Sequence, residues 1–299
     1  MTDLPAVFEH TPWGLVVVHG PDATSFLQAI VSQDLDPVGV GQTVPALLLQ
    51  PQGKLEVAFR ATRRGEQEWL LDTDPAYAAR LAEGLTRYKI RVKVEIEDRT
   101  ADTAMASVVG VTTAVGVAGA LVVAPTVWGA APGCDVLGSE AFVRGWVRDS
   151  GLRVGTPEQL EVLRIEAGLP KLGVDVDDAT IPQEAFLEVD AVSFTKGCFI
   201  GQELVCRIDS RGHVNRFLRR LAIPGGAVPP HGAEVLVGDK SVGHVTSAVA
   251  VPGEDRAVAL AMVRREVEPP ADVVIRSAGT TTPATVIERR RSPSLGDGE

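Results

Sequence analysis

Apolar and polar positions recur with two different periods along the first two hundred residues. A β-branched run over residues 14–19 predicts a strand, and Asp22 stands at the N-cap position of a helix with apolar residues at helical spacing. Residues 47–49 and 55–59 predict two more strands, which a hairpin containing Gly53 joins. Strands and helices therefore alternate from the start of the chain.

The same alternation continues to about residue 168. A short strand is predicted at 69–72, and apolar residues four positions apart predict a helix over 75–88. Residues 91–97 alternate strictly, which predicts a strand with one wet face. A further helix is predicted over 157–168, with Thr156 as its cap. Because the strands are not uniformly apolar, they indicate α+β layers and not a doubly wound parallel sheet.

One uncharged stretch, residues 103–134, is long enough to raise the question of a transmembrane helix. It consists mainly of small residues interrupted by glycines, and its flanks are Asp102 and Asp135, where a span would have Lys or Arg. We therefore expect no membrane span here. Buried strands are predicted at 108–111 and 120–123, around a connector of small residues.

From Phe217 onward the pattern changes to short strands with Gly and Pro turns between them, which predicts a small β-barrel or sandwich. We expect an α+β region over 1–215, then a barrel over 216–299 that ends in a frayed polar tail at 292–299. The strands are predicted at 219–223, 234–237, 242–249, 257–263 and 273–275.

Composition and charge narrow the functional classes. The chain has 299 residues, 45% of them hydrophobic, and a net charge of −10. A chain this acidic is not expected to bind nucleic acid non-specifically over a broad surface, although its net charge is compatible with a small basic patch that faces tRNA. Three cysteines without a C-x-x-C pair predict neither a disulfide framework nor a zinc site. With no basic or apolar leader at the start, they indicate a protein of the reducing cytoplasm.

The most unusual segment is Lys196-Gly197-Cys198-Phe199-Ile200-Gly201-Gln202-Glu203. Its cysteine precedes a helix predicted over 202–208, whose unpaired N–H groups would stabilise a thiolate. Lys196 adds a cation, and Gly197 and Gly201 allow a ligand or another backbone to approach closely. The alternative is that Cys198 is a small buried hydrophobe at a turn. Cys134, predicted to lie in a loop, and Cys206 have no expected role.

Several further motifs surround this cysteine segment. Together they resemble the YgfZ family of folate-binding proteins, which are relatives of the glycine-cleavage T-protein, a tetrahydrofolate-dependent aminomethyltransferase. The resemblance spans nearly the whole chain and rests on RIEAGLP at 164–170, IPQEA at 181–185, Phe194-Thr195, Arg207, Arg211-Gly212, Gly53-Lys54 and Trp13.

The resemblance implies two interlocked ferredoxin-like layers that form a channel for tetrahydrofolate or a one-carbon derivative, followed by a C-terminal β-barrel. It also implies a role in assembling or maintaining iron–sulfur enzymes, including radical enzymes that modify tRNA. These enzymes or their assembly machinery would be the partners. The catalytic candidates are Cys198 and Lys196, and the motif residues Gly197, Gly201, Gln202 and Glu203 would support them.

Four residues match folate-site positions of the family. Trp13 would stack on the folate, and Glu166 would accept N–H bonds from the pterin. Tyr88 and Arg91 fall in a matching segment, and Arg91 would face the glutamate tail. The alternatives are a core tryptophan, a solvated helix glutamate and an exposed strand arginine.

Two departures separate the chain from the T-protein. Only Glu56 stands where T-proteins have two adjacent acids, and Leu160 replaces a second tryptophan. The first departure weakens the alternative function of an aminomethyl or one-carbon transferase. The second puts part of the folate stacking in doubt. A third alternative is a thiol-based partner-binding module that needs no folate.

Overall fold

The computed structural model describes residues 4–111, 117–128 and 131–288. The strands are β1 (Ala6–His10), β2 (Gly14–His19), β3 (Thr43–Leu49), β4 (Leu55–Gly65), β5 (Glu68–Thr73), β6 (Glu95–Asp98), β7 (Thr103–Val109), β8 (Val122–Trp128), β9 (Ala131–Ser139), β10 (Arg153–Val154), β11 (Arg216–Pro224), β12 (Glu234–Val237), β13 (Lys240–Ala250), β14 (Arg256–Arg264), β15 (Ala271–Ser277) and β16 (Thr280–Ile287). The helices are α1 (Ala23–Ile30), α2 (Ala78–Thr86), α3 (Glu140–Asp149), α4 (Pro157–Ala167), α5 (Glu188–Ala191) and α6 (Gln202–Arg211), with short 3-10 helices at Pro75–Tyr77, Thr100–Asp102 and Pro182–Glu184.

Two five-stranded sheets form the first part of the molecule. The first sheet has the order β3-β4-β5-β2-β6 and is antiparallel, and the second has the order β10-β1-β7-β9-β8. Strand β1 belongs to the second sheet although the chain builds the whole first sheet immediately after it, so the two sheets are interlocked. This confirms the predicted α+β fold with ferredoxin-like layers.

Each sheet buries one face against helices and turns the other toward its neighbour. Helices α1 and α2 cover the first sheet through a core that includes Val16, Val18 and Trp69, while α3 covers the second sheet. Because strand side chains alternate, Leu15 and Val17 of β2 point the other way, into the layer between the sheets. Between the sheets they meet apolar residues of β7, β8 and β9.

The last six strands close into a barrel of order β11-β14-β13-β12-β15-β16, so none of its strands is an open edge. Its interior is a separate apolar core of mainly Val, Ala and Ile. Helix α4 packs against β13 and β14, which attaches the barrel to the sheets. The predicted barrel is confirmed and is closed, with β16 as a strand that the turn pattern did not reveal.

Two local predictions are wrong. Residues 91–94 are not part of a strand, because β2 ends at His19, opposite Glu95, and Gly20 then turns the chain away with a φ of 130°. Cys134 is not in a loop: it is buried within β9 and pairs with Val108 on one side and Pro125 on the other. Its glycine and aspartate neighbours suggested a turn, but both are packed inside the sheet.

Other elements deviate less. Asp22 precedes α1, but its side chain accepts a hydrogen bond from the backbone N–H of Lys93 and does not cap the helix. Helix α4 begins with the predicted cap at Thr156, which forms a capping box with Gln159, and it ends at Gly168 in the left-handed conformation. The strands predicted at 108–111 and 120–123 are β7 and β8, shifted along the chain. The tail at 292–299 lies outside the described residues.

Candidate functional site

A cavity of about 660 Å³ lies where the two sheets, helix α4 and the segment after α4 meet. Its walls are mostly apolar, with Phe8, Phe59 and Leu160 among them. The polar groups on the walls come from distant parts of the chain and include His10, Trp13, Arg60, Asp72, Glu161, Arg164 and Lys171. A second cavity of about 770 Å³ reaches the inter-sheet layer at Leu15 and Val17 but is lined by none of the predicted site residues.

Trp13 lies on the cavity wall in a fixed orientation. Its indole N–H donates to Asp72 Oδ2 over 3.1 Å, and its ring centroid lies 5.3 Å from that of His10. Burial lowers the pKa of His10; Asp135 raises it and Arg60 lowers it further, with a net lowering that favours the neutral imidazole. The indole is therefore held at the cavity wall by a hydrogen bond that is already made.

Arg60 forms the first charged cluster of the cavity wall. Its guanidinium lies between two buried carboxylates, with Nη2 2.7 Å from Asp72 Oδ2 and Nη1 bonded to Asp135 Oδ2. Burial disfavours the charged guanidinium, but the two carboxylates outweigh that effect and raise the pKa of Arg60. One cation between two anions leaves this cluster with a net negative charge.

A second cluster, also of one guanidinium and two carboxylates, surrounds Arg164, which is another of the residues that line the cavity. Arg164 of α4 donates to both oxygens of Glu161 and, over 2.7 Å, to Asp175 Oδ2. It also donates to Ser247 of β13, which ties the cavity wall to the barrel. The hydrogen bonds from Arg164 lower the pKa of Glu161, so this carboxyl is ionised at neutral pH. Its side chain keeps 35% exposure, so part of it remains accessible.

Glu166, the predicted pterin ligand, is not among the residues that line the cavity. It pairs instead with Arg256 at the start of β14, over 2.9 Å. Helix α4 turns about 100° per residue, so Glu166 points away from Glu161 and Arg164, whereas Leu160 does line the cavity. Glu161 was not predicted from the sequence. The signal that could have found it is the helical spacing of Leu160, Glu161 and Arg164, which places them on one face of α4.

Tyr88 and Arg91 are not brought to Trp13 either. Tyr88 lines a separate recess of about 390 Å³ together with Glu56, Arg80 and Arg87. Glu56 is buried there and is ion-paired with Arg87, with Arg80 Nε 4.0 Å away. Arg91 is exposed and has a φ of 57° at the end of the turn after α2.

In the cysteine segment, the cysteine is exposed, whereas the lysine ammonium is engaged in hydrogen bonds with the protein. Cys198 is exposed, while Phe199 beside it is buried. The Lys196 ammonium donates to three backbone carbonyls around the end of α1, those of Gln28, Val31 and Gln33. Burial lowers the pKa of Lys196 to about 8, although Asp34 and Asp36 raise it in part.

The two glycines of the segment have different surroundings. Gly201, with a φ of 78°, contacts the hairpin loop after β3, and a Cβ on it would lie 2.5 Å from Gln50 O and 3.0 Å from Gly53 Cα. Gly53 is equally tight against Gly201 O. A Cβ on Gly197 would have open space around it. Gln202 accepts the Phe199 N–H through its side chain, and Glu203 is exposed.

The other two cysteines are in less accessible places. Burial and the neighbouring Asp135 raise the pKa of Cys134, and burial and Asp209 raise that of Cys206. Within the described ranges, no cluster of three or more His, Cys, Asp or Glu side chains is arranged to hold a metal ion. In the same part of the chain, no helix is both long and apolar enough for a membrane span.

Comparisons with known proteins agree with this architecture. Residues 4–121 match the GCVT N-terminal domain, and residues 216–290 match the glycine cleavage T-protein C-terminal barrel domain. An aminomethyltransferase of Rubrobacter xylanophilus is 28% identical over 90% of this chain and 79% of its own length. A tRNA-modifying protein YgfZ of Cronobacter sakazakii is 26% identical over 75% of this chain and 73% of its own length.

Among solved structures, the glycine cleavage system aminomethyltransferase T from Bartonella henselae superposes with a TM-score of 0.82. The superposition covers 96% of this chain and 87% of that protein, at 20% sequence identity. At this identity the likeness shows a shared fold.

Proposed function

We propose, from the premise that the chain belongs to the YgfZ family of glycine-cleavage T-protein relatives, that its central cavity binds tetrahydrofolate or a one-carbon derivative of it. The observation that supports this most directly is the wall formed by Trp13, which its bond to Asp72 holds in place beside an apolar cavity. A flat indole in a fixed orientation is suited to stack on a pterin or aminobenzoyl ring.

The size and lining of the cavity suit such a ligand. A volume of about 660 Å³ falls within the usual range for small-molecule sites, about 300–1,000 Å³. Apolar side chains supply most of the wall, and a few polar groups are placed among them, as in most cofactor sites.

The charge of the wall matches the hydrogen-bond donors of a reduced pterin. The clusters around Arg60 and Arg164 each hold two carboxylates and one guanidinium, and both guanidinium groups already donate to those carboxylates. A tetrahydropterin ring offers an amino group and several N–H groups as donors. Glu161 is the accessible carboxylate among these groups, and we assign it the contact that the resemblance gave to Glu166.

A fluorescence titration tests the folate site. Tetrahydrofolate is added to the protein and to the variants Trp13→Phe and Trp146→Phe, with free tryptophan as a control for absorption by the ligand. We expect saturable quenching in the unchanged protein and in Trp146→Phe. In Trp13→Phe most of the quenching should be lost, because among the described side chains Trp13 is the tryptophan that lines the cavity. The absence of saturable quenching and of calorimetric heat would reject the folate site.

The finer part of the proposal concerns Cys198. It is the exposed thiol of the three, and it lies in the segment that resembles the YgfZ signature. We propose that Cys198 acts in the assembly or maintenance of iron–sulfur proteins, including enzymes that modify tRNA. The name of the Cronobacter relative, a tRNA-modifying protein, supports this direction.

Complementation tests that role. Cells that lack the protein receive the unchanged chain, Cys198→Ala or Cys206→Ala, and the activity of an iron–sulfur enzyme is measured. Cys198→Ala should fail to restore activity, and Cys206→Ala should restore it. Full complementation by Cys198→Ala, with normal folate binding, would leave the folate site in place and remove the thiol from the function.

The transferase alternative makes a different prediction. Several relatives are aminomethyltransferases, but the one matching acid, Glu56, is ion-paired with Arg87 in a recess that is separate from the cavity. We therefore propose that glycine-cleavage activity is absent. Release of ammonia from the aminomethylated carrier protein at enzymatic rates, roughly 1–10³ s⁻¹, would favour the alternative.

A further inference from the structure

The last backbone carbonyls of α1 need hydrogen-bond donors from outside the helix. A helix leaves its last carbonyls without intrahelical donors. Here the N–H of Ser32, four residues after Gln28, donates across to Leu47 O, so the Gln28 carbonyl has no helical partner from that residue. The chain then turns through Gln33 toward β3, which leaves several carbonyls converging on one point.

Lys196 fills that point with its ammonium. Its Nζ lies 2.7 Å from Gln28 O, 2.8 Å from Val31 O and 2.8 Å from Gln33 O. An ammonium has three N–H donors, and each of these carbonyls takes one of them. No N–H of Lys196 therefore remains for the Cys198 thiolate, which is the role that the sequence suggested.

Backbone bonds on both sides of Cys198 join the same turn. Ser193 N–H donates to Ser32 O over 3.0 Å, and Ile200 N–H donates to Ile30 O over 3.3 Å. Ser32 Oγ donates to Ala191 O, which extends the contact toward the start of the segment. The thiol thus lies between two anchored positions, on a stretch whose exposed Gly197 has open space around it.

We infer that Lys196 is a positioning residue for Cys198, which acts by clasping the carbonyls at the end of α1 and not by placing its charge beside the thiol. The inference rests on the proposed role of Cys198. The clasp fixes the segment in the conformation that points the thiol to solvent and buries Phe199. Helix α1 is therefore part of the machinery that presents the cysteine, although it contains none of the motif.

Two substitutions separate the clasp from a charge effect. Lys196→Met removes the ammonium at nearly constant length. Lys196→Arg keeps the positive charge, but its planar guanidinium cannot direct three donors at converging carbonyls. Lys240→Met, at an exposed lysine of the barrel, is the matched control. Amide hydrogen exchange at Ser193 and Ile200 and the pH profile of Cys198 alkylation are measured for each.

If the hydrogen bonds to the three carbonyls are what matters, Lys196→Met and Lys196→Arg should behave alike. Exchange at both amides should accelerate about tenfold or more in both variants and stay unchanged in the control. The alkylation profile should change in the same direction in both. If Lys196→Arg keeps the original profile while Lys196→Met does not, the charge is what matters and the inference is wrong. Unchanged exchange in Lys196→Met would overturn it equally.

A measurement on the unchanged protein covers the case in which neither variant folds. In protein labelled with ¹⁵N-lysine, a clasped ammonium should exchange its protons slowly and give a distinct signal at neutral pH, unlike Lys240. The absence of such a signal would refute the clasp. If the slowly exchanging ammonium is found but Cys198→Ala complements fully in cells, the proposed role of the thiol is wrong. Lys196 then has a structural role only.

Discussion

The central cavity and the cysteine segment hold their polar groups in opposite ways. In the cavity wall, two arginines are each fixed between two carboxylates, Arg60 between residues of β5 and β9, and Arg164 between a residue of its own helix and one of the segment after it. In the cysteine segment, a lysine is fixed by backbone carbonyls of a single turn, and the neighbouring thiol stays exposed. The cavity wall thus keeps its charges paired around a recess, whereas the segment leaves its cysteine exposed.

This difference has a consequence for substitutions. Ion pairs between buried side chains fail when one partner is removed, because the remaining charge stays buried without compensation. A segment that is fixed through backbone groups fails when its shape changes, because those carbonyls cannot be mutated away. The cavity should therefore be sensitive to charge, and the cysteine segment to volume and conformation.

The largest expected effect is the loss of Arg60. Arg60→Met leaves Asp72 and Asp135 buried without their cation, which should lower the free energy of unfolding by about 3–5 kcal/mol. Urea denaturation followed by circular dichroism measures it. The control is Arg256→Met, whose pair with Glu166 is partly exposed and should contribute no more than about 1 kcal/mol. Similar losses in both variants would contradict the special role of the cavity cluster.

The next effect separates the two glutamates of α4. Glu161→Ala should weaken tetrahydrofolate binding by about 1.5–3 kcal/mol, since it removes a charge-assisted hydrogen bond from the cavity. Glu166→Ala should leave the affinity unchanged, because Glu166 pairs with Arg256 outside the lining. Isothermal calorimetry on both variants decides between them. A large loss in Glu166→Ala alone would restore the assignment made from the resemblance.

A smaller effect tests the shape of the cysteine segment. Gly201→Ala should lower the free energy of unfolding by about 1–3 kcal/mol, because the new methyl would collide with the Gln50 carbonyl at a positive φ. Gly197→Ala, in open space four residues earlier, should stay within about 0.5 kcal/mol. Thermal denaturation of the pair measures the difference. Equal stabilities would mean that the hairpin loop gives way easily.

The smallest effect is the order of thiol reactivity. The raised pKa values of Cys134 and Cys206 lower their thiolate fractions at neutral pH, and each unit of such a shift is about a tenfold reduction. Cys198 is exposed, so at pH 7 it should alkylate the fastest of the three. Mass spectrometry of each cysteine over time measures the rates. Faster labelling of Cys206 would contradict the outward presentation of Cys198.

Local patterns along the chain were sufficient for most of the elements. The capping box at Thr156, the hairpin around Gly53 and the turns between the barrel strands follow from rules that involve neighbours in sequence. The strand predicted over residues 91–97 is present only from Glu95 onward, because a strand also needs a partner and β2 ends opposite Glu95. The prediction that Cys134 lies in a loop is wrong for a related reason. Its glycine and aspartate neighbours are typical of turns, but β7 and β8 pair with this segment on both sides and make it a central strand.

By itself the sequence determined the α+β region, the barrel and the resemblance to a family, because hydrophobic periodicity and contiguous motifs can be recognised along the chain. Only the tertiary structure decided which side chains share a cavity. It brought Trp13 to Asp72 and Arg60 to Asp135, and it sent Glu166 to Arg256 while Glu161 faced inward. It also gave Lys196 to the carbonyls of α1. The physical reason is that ion pairs and clasps depend on distance in space, and sequence separation does not encode that distance.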